Sequence, residues 1–130
     1  MIVADTSAFL AILFQEHDAQ DFADAIQQAD QVALSAASLL EASIVVLRAR
    51  GESGLLHLDQ LLLRSACDIV AFDVDQAGLA RQAYRDYGKG RHAAGLNLGD
   101  CFSYALAKDR GSPLLYKGGD FSKTDVESVI

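Results

Sequence analysis

The sequence has no apolar run approaching the roughly 18 residues that a bilayer span needs, and its first apolar segment lacks a basic flank and is broken by Gln15. Neither a membrane anchor nor a signal peptide is therefore expected. Cysteine is scarce. The two present, Cys67 and Cys101, have no CxxC spacing and no accompanying histidine pattern, so free thiols in a reducing, cytoplasmic setting are expected in place of a disulfide or a zinc site. Proline occurs once, at Pro113, and no Gly-Lys pair is followed by Ser or Thr, which excludes a P-loop. Basic residues are also few, with 11 Lys plus Arg against 18 Asp plus Glu and a net charge of −7. Indiscriminate adhesion to nucleic acid is thereby disfavoured. A local basic stripe on such a surface is not excluded, nor is a cluster of acids that holds cations.

What is present is a globular composition, 51% hydrophobic over 130 residues, enough for one domain (1–130) with one core. Short apolar runs alternate with helical patterns. Ile2-Val3-Ala4 reads as a buried strand followed by a helix through about Phe14, with Asp5 as its cap. A helix over 17–29 and a strand at 32–34 follow. Ser38-Leu39-Leu40-Glu41 fits a capping box opening a helix whose buried stripe is Leu40, Ile44 and Leu47, and Gly51 suits its C-terminal stop. A helix around Leu55, Leu58 and Leu62 comes next, with His57 a surface or packed residue on it. After a strand over 68–72, Asp73 and Asp75 cap a helix through Tyr87 with Leu79, Ala83 and Tyr84 inward. Asp100 opens another apolar helix, Leu114-Leu115-Tyr116 forms a further strand, and 126–130 are expected to add an edge strand. This alternation predicts an α/β three-layer sandwich, a parallel sheet of four to five strands with helices on both faces.

Four acids share one kind of place in this pattern. Asp5 ends the first strand, Glu41 and Asp100 lie at helix starts, and Asp120 closes a glycine turn after an apolar run. Helix capping accounts for any one of them. Four carboxylates converging on one sheet edge would repel each other unless a cation lay between them. Arg81, Arg85 and Lys89 recur every four residues and lead to Arg91, one basic face just ahead of the Asp100 helix. That face suits either plain solvation or contact with phosphates.

The motifs Val3-Ala4-Asp5-Thr6-Ser7-Ala8, Ser38-Leu39-Leu40-Glu41-Ala42, Tyr87-Gly88-Lys89-Gly90-Arg91-His92, Leu96-Asn97-Leu98-Gly99-Asp100-Cys101-Phe102-Ser103-Tyr104-Ala105-Leu106-Ala107 and Leu114-Leu115-Tyr116-Lys117-Gly118-Gly119-Asp120-Phe121, followed by Thr124-Asp125, occur in this order along the whole chain. Together they resemble the PIN-domain ribonucleases, in particular the VapC-type toxins of toxin–antitoxin pairs. The resemblance implies a Mg²⁺- or Mn²⁺-dependent endoribonuclease that cuts single-stranded RNA with a metal-activated water. It implies Asp5, Glu41, Asp100 and Asp120 as the acidic centre, with Asp5, Asp100 and Asp120 binding metal and Glu41 orienting or deprotonating the water. Arg85, Lys89 and Arg91 become candidate RNA contacts, and Thr6 and Ser7 supports for Asp5. The family also implies a homodimer and a VapB-type antitoxin whose tail blocks the acids, along a groove for which Leu10, Phe14 and Leu39 are candidates. Two positions depart from the pattern: Gly119, where relatives often carry an acid or Asn, and Ala93, where Pro is frequent. Asp125 is expected to be a turn residue. Two competing readings are a phosphatase with its Asp after strand one, which lacks a second acid at Ser7, and a non-enzymatic binding module whose acids only cap helices.

Overall fold

The computed structural model describes residues 1–130. Four short parallel strands form the sheet: β1 (Ile2–Ala4), β2 (Val32–Ser35), β3 (Asp68–Val70) and β4 (Leu114–Leu115), in the order β3-β2-β1-β4. Ile2 pairs with Val32 and Val3 with Ala33, while on the other side Val3 pairs with Leu114 and Ala4 with Leu115. Alternate side chains of a strand point to opposite faces, and each face here has its own core. Ile2, Ala4, Val32, Leu34 and Leu115 pack under α1 (Thr6–Leu13), α2 (Ala19–Gln28) and α3 (Ala36–Arg64). Val3, Ala33 and Leu114 pack under α4 (Val74–Tyr87) and α5 (Leu98–Arg110). The chain is thus the expected three-layer α/β sandwich, with four strands.

The expected fifth strand does not form. Leu114 makes a single bridge to Ser128, through its N–H to Glu127 and from the Val129 N–H, so the C-terminal segment lies along the edge without extending the sheet.

Helix α3 corrects two expectations. It starts at Ser35, whose Oγ accepts the Ala37 N–H, and not at Ser38. Ser38 and Glu41 therefore make no capping box. The buried residues are Ser38, Ala42 and Val46, whereas Leu40 is 62% exposed and Ile44 and Leu47 are exposed too. At about 100° per residue these two stripes fall on opposite sides of the helix, with Glu41 at the border between them. Gly51, at φ 67°, breaks the span into two helical halves, which is the stop expected there. On α4, Asp73 caps the helix through the Gln76 N–H and Ala83 is buried as expected, but Tyr84 is 44% exposed.

The topology marks one crevice. From β1 the chain passes to β2 and β3 on one side and only later to β4 on the other, so connections diverge at the carboxyl ends of β1 and β4. Open α/β sheets place ligands at such a switch point. Asp5 follows β1 directly and Lys117 lies two residues beyond β4.

Candidate active site: an acidic cluster at the sheet edge

Asp5 is only 5% exposed, and its charge is met by three donors. The Ser7 hydroxyl and N–H donate to Oδ2 at 2.6 and 3.1 Å, and the Ser103 hydroxyl donates to Oδ1 at 2.6 Å. Hydroxyl-to-carboxylate bonds of this length are charge-assisted and strong. Ser7 Oγ also accepts the Lys117 N–H at 2.9 Å, which ties the segment after β4 to the same carboxylate. Lys117 itself is held by ion pairs to Asp18 at 3.0 Å and Glu16 at 3.3 Å. Behind Asp5, the Ser103 hydroxyl lies 3.3 Å from that of Ser38, and Thr6 Oγ1 donates to the Ser38 carbonyl. Both serines are completely buried, so this chain of hydroxyls leaves Asp5 little freedom.

Asp100 sits in the first turn of α5. Its N–H donates to Asn97 Oδ1 at 2.9 Å and its Oδ2 accepts the Asn97 N–H at 3.0 Å, a reciprocal capping box. Burial nevertheless pushes its carboxyl up from the ordinary 3.8 to about 6. The Asn97 N–H opposes that rise, while the like charges of Asp5, Asp120 and Glu41 add to it. Glu41, half-buried on α3, is also shifted upward, first by burial; the Thr6 hydroxyl opposes this and the charge of Asp5 reinforces it. Its carboxylate lies directly against Gly99, where a Cβ would overlap Oε2 and Cδ. Asp120 is exposed at the start of a 3-10 turn (Phe121–Lys123), its side chain capping nothing. Buried Phe121 and Tyr116, ring centroids 5.1 Å apart, anchor that turn.

The fold thus brings Asp5, Glu41 and Asp120, from the end of β1, from α3 and from the turn after β4, within electrostatic reach of Asp100 on α5. As the side chains stand, no three His, Cys, Asp or Glu groups form a set that holds one ion. Asp120, exposed and with no capping bond from its side chain, is the acid least tied in place. The donor set consists of carboxylate oxygens alone, which fits Mg²⁺ or Mn²⁺ and not zinc.

The basic residues divide. Lys89 lines a groove between α4 and α5 together with Arg81, Asn97 and Leu98. Arg85 and Arg91 are exposed beyond it, joined by the bond from Arg91 Nε to the Arg85 carbonyl at 3.2 Å. Asp125 is not in the cluster: it accepts from Tyr104 Oη at 2.5 Å and Lys108 Nζ at 2.9 Å, latching the last segment onto α5. Sequence reasoning missed Ser103, Gly99 and Lys117. Ser103 had a signal, since it lies three residues after Asp100 on one helix and so shares its face.

A family-wide profile of the PIN domain matches residues 2–127. A VapC ribonuclease of Mycobacterium bovis and ribonuclease VapC30 of Mycobacterium tuberculosis are each 54% identical over 129 residues, covering 98% of both chains. A ribonuclease VapC of Mycolicibacterium smegmatis is 53% identical over 128 residues, covering 98% of this chain and 99% of its own. Among solved structures, Mycobacterium tuberculosis VapC20, a sarcin-ricin-loop-cleaving toxin, superposes with a TM-score of 0.78 at 17% identity, over 97% of this chain and 96% of that one. VapBC2 of Rickettsia felis, bound to a DNA fragment from its promoter, gives 0.76 at 15% identity, over 98% and 96%. These two likenesses speak for the fold.

Proposed function

We propose a catalytic assignment for a chain that belongs to the PIN-domain family and, within it, is an RNA-cleaving hydrolase of the VapC toxin type. In this assignment Asp5, Asp100 and Asp120 hold Mg²⁺ or Mn²⁺, and Glu41 serves the attacking water. The substrate is single-stranded RNA cut at a phosphodiester bond. The observation that carries the reading is the convergence of three carboxylates, Asp5, Glu41 and Asp120, on Asp100, whose carboxyl is held up at about 6 by burial and by these acidic neighbours. Structural ion-pair networks also shift pKa values, but here every charged contributor is an acid, which is a configuration that asks for a cation.

A bound divalent ion supplies Lewis-acid neutralisation of phosphate charge and a water of lowered pKa. The chain's own groups do the rest. Asp5, fixed on Oδ2 by Ser7 and on Oδ1 by Ser103, keeps its free acceptor capacity on Oδ1, so its orientation as a ligand is set before substrate arrives. Asp100 is held by Asn97 in the first turn of α5 and would serve a bound cation in its ionised form, since a ligand carboxyl must be deprotonated. Glu41, raised in pKa by burial, takes the proton from the attacking water on its carboxylate. Arg85, Lys89 and Arg91 contact the RNA backbone.

The same reading includes a VapB-type antitoxin partner, a homodimer, action in the cytoplasm, and residues 1–130 working as one domain. The exposed strip Leu40, Ile44 and Leu47 on α3, beside Glu41, supports the antitoxin reading, because apolar side chains at that spacing suit a partner's apolar face. No helix is long and apolar enough to cross a membrane. The test of function is cleavage of a mixed single-stranded RNA pool by wild type and Asp100→Asn in Mg²⁺, Mn²⁺ or EDTA. Cleavage that needs metal and is lost in the variant supports the reading, whereas metal-independent cleavage or an active variant refutes it.

A further inference from the structure

We propose that Lys117 is a positioning residue of the acidic centre, a role that rests on the metal-site reading above. Its ammonium, clamped by Glu16 and Asp18, holds its own backbone N–H on Ser7 and thereby sets Asp5 and the turn that carries Asp120. The directions of the hydrogen bonds point this way. An N–H can only donate, so the Ser7 hydroxyl oxygen, 2.9 Å from the Lys117 nitrogen, must accept there. Ser7 has one hydroxyl proton, which is thereby left for Asp5 Oδ2 at 2.6 Å. Without the Lys117 N–H that hydroxyl is free to rotate away, and Asp5 loses one of its three donors. Beyond Lys117 come Gly118, at φ 99°, and Gly119, and then Asp120. Two glycines transmit little stiffness, so on its β4 side the Asp120 turn is held at Lys117, as buried Phe121 holds it on the other.

The side chain supplies the hold. Nζ lies 3.0 Å from Asp18 Oδ1 and 3.3 Å from Glu16 Oε1, both in the segment between α1 and α2. A lysine so near four carboxylates would ordinarily serve as their counter-ion. No hydrogen bond or ion pair joins Nζ to Asp5, Glu41, Asp100 or Asp120, however. Its charge is answered outside the cluster, and what it delivers to the cluster is the place of its backbone. All three side chains of the clamp are partly exposed, and such pairs stabilise a fold only slightly. Loss of the clamp therefore shows in the site more than in global stability.

The test uses the full chain without RNA. Lys117→Met keeps the stem and removes the charge, Lys117→Arg keeps a cation that can span two carboxylates, and Glu16→Gln with Asp18→Asn removes the partners. Calorimetric titration gives Mn²⁺ affinity, and NMR in EDTA gives the exchange rate of the amide proton at position 117. Lys117→Met is expected to bind Mn²⁺ about tenfold more weakly, the lower end of the range for an outer partner of a metal ligand, with Lys117→Arg matching wild type. The amide at position 117 exchanges faster in Lys117→Met and in the Glu16/Asp18 double variant, which decides the matter should Lys117→Met fail to fold. The sign separates position from charge, because removing a cation near the acids would by charge alone tighten Mn²⁺ binding. Tighter or unchanged binding by Lys117→Met overturns the clamp, as does an equal loss in Lys117→Arg or an unaltered exchange rate at position 117. A wild type that binds Mn²⁺ with any of these results leaves the metal-site reading intact. One that binds no Mn²⁺ removes both.

Discussion

The Ser103 hydroxyl donates a 2.6 Å hydrogen bond to Oδ1 of Asp5, joining α5 to the end of β1 across 98 positions of sequence. Both residues are buried, so no water replaces the bond when it is removed. Ser103→Ala is expected to cost about 1.5–3 kcal/mol of stability, the range for a bond to a charged group, and to weaken Mn²⁺ binding because Asp5 loses its orientation. Urea unfolding in EDTA and Mn²⁺ titration measure the two effects. A loss of stability with unaltered Mn²⁺ affinity would make Ser103 a core residue only.

Gly99 is the second test of geometry. A methyl at this position overlaps the Glu41 carboxylate, which must then move. Gly99→Ala should lower the RNA cleavage rate by at least about tenfold while the helix gains up to about 1 kcal/mol of intrinsic propensity. Circular dichroism melts beside initial rates separate the two. An unimpaired rate would mean that Glu41 is not needed where it stands.

Acidity follows from Asp100. Its folded-state pKa of about 6 lies above the ordinary 3.8, so its contribution to stability is fully present below 3.8 and is lost as pH rises through about 6. In EDTA, the melting-temperature difference between wild type and Asp100→Asn should therefore shift in favour of wild type from pH 7.5 to pH 5.5. Metal competes with that proton, so the acid limb of the cleavage profile should move to lower pH as Mn²⁺ is raised. A limb that ignores Mn²⁺ concentration would contradict the assignment.

The Asp125 latch should behave differently. Hydrogen bonding from Tyr104, then Lys108, lowers the Asp125 carboxyl below its ordinary 3.8. Its stabilisation is present above 3.8 and is lost as pH falls through the lower folded value. Tyr104→Phe is expected to cost about 0.5–1.5 kcal/mol at pH 7, a difference that closes in acid, with cleavage unchanged. Reduced cleavage at full stability would place the latch in the site.

Period and punctuation made most of the architecture legible. Three-residue apolar runs between helical patterns were enough for a parallel sheet, and acids at strand and helix ends were enough for the cluster. What failed was orientation about the α3 axis. Leu40, Ile44 and Leu47 have core spacing, yet Ser38, Ala42 and Val46 face inward, because small residues let α3 lie close to its neighbours and carry Glu41 to Gly99. Spacing alone does not say which of two opposite stripes is buried. The capping box failed for a related reason: β2 ends at Ser35, which takes the cap, and the reciprocal box forms at Asn97 and Asp100, residue types outside the Ser/Thr–Glu/Gln pattern. The spacing of Ser103 from Asp100 placed it on the same helix face, but its bond to Asp5 was hidden because that partner is 98 residues away.

The most direct measurement is calorimetric titration of Mn²⁺ into wild type, Asp5→Asn and Asp100→Asn at pH 7.5, without RNA. The account predicts saturable binding by wild type and at least about tenfold weaker binding by each folded variant, since each amide keeps the shape and loses the charge that the cation needs. Equal Mn²⁺ affinity in all three proteins would contradict it and return these carboxylates to helix capping.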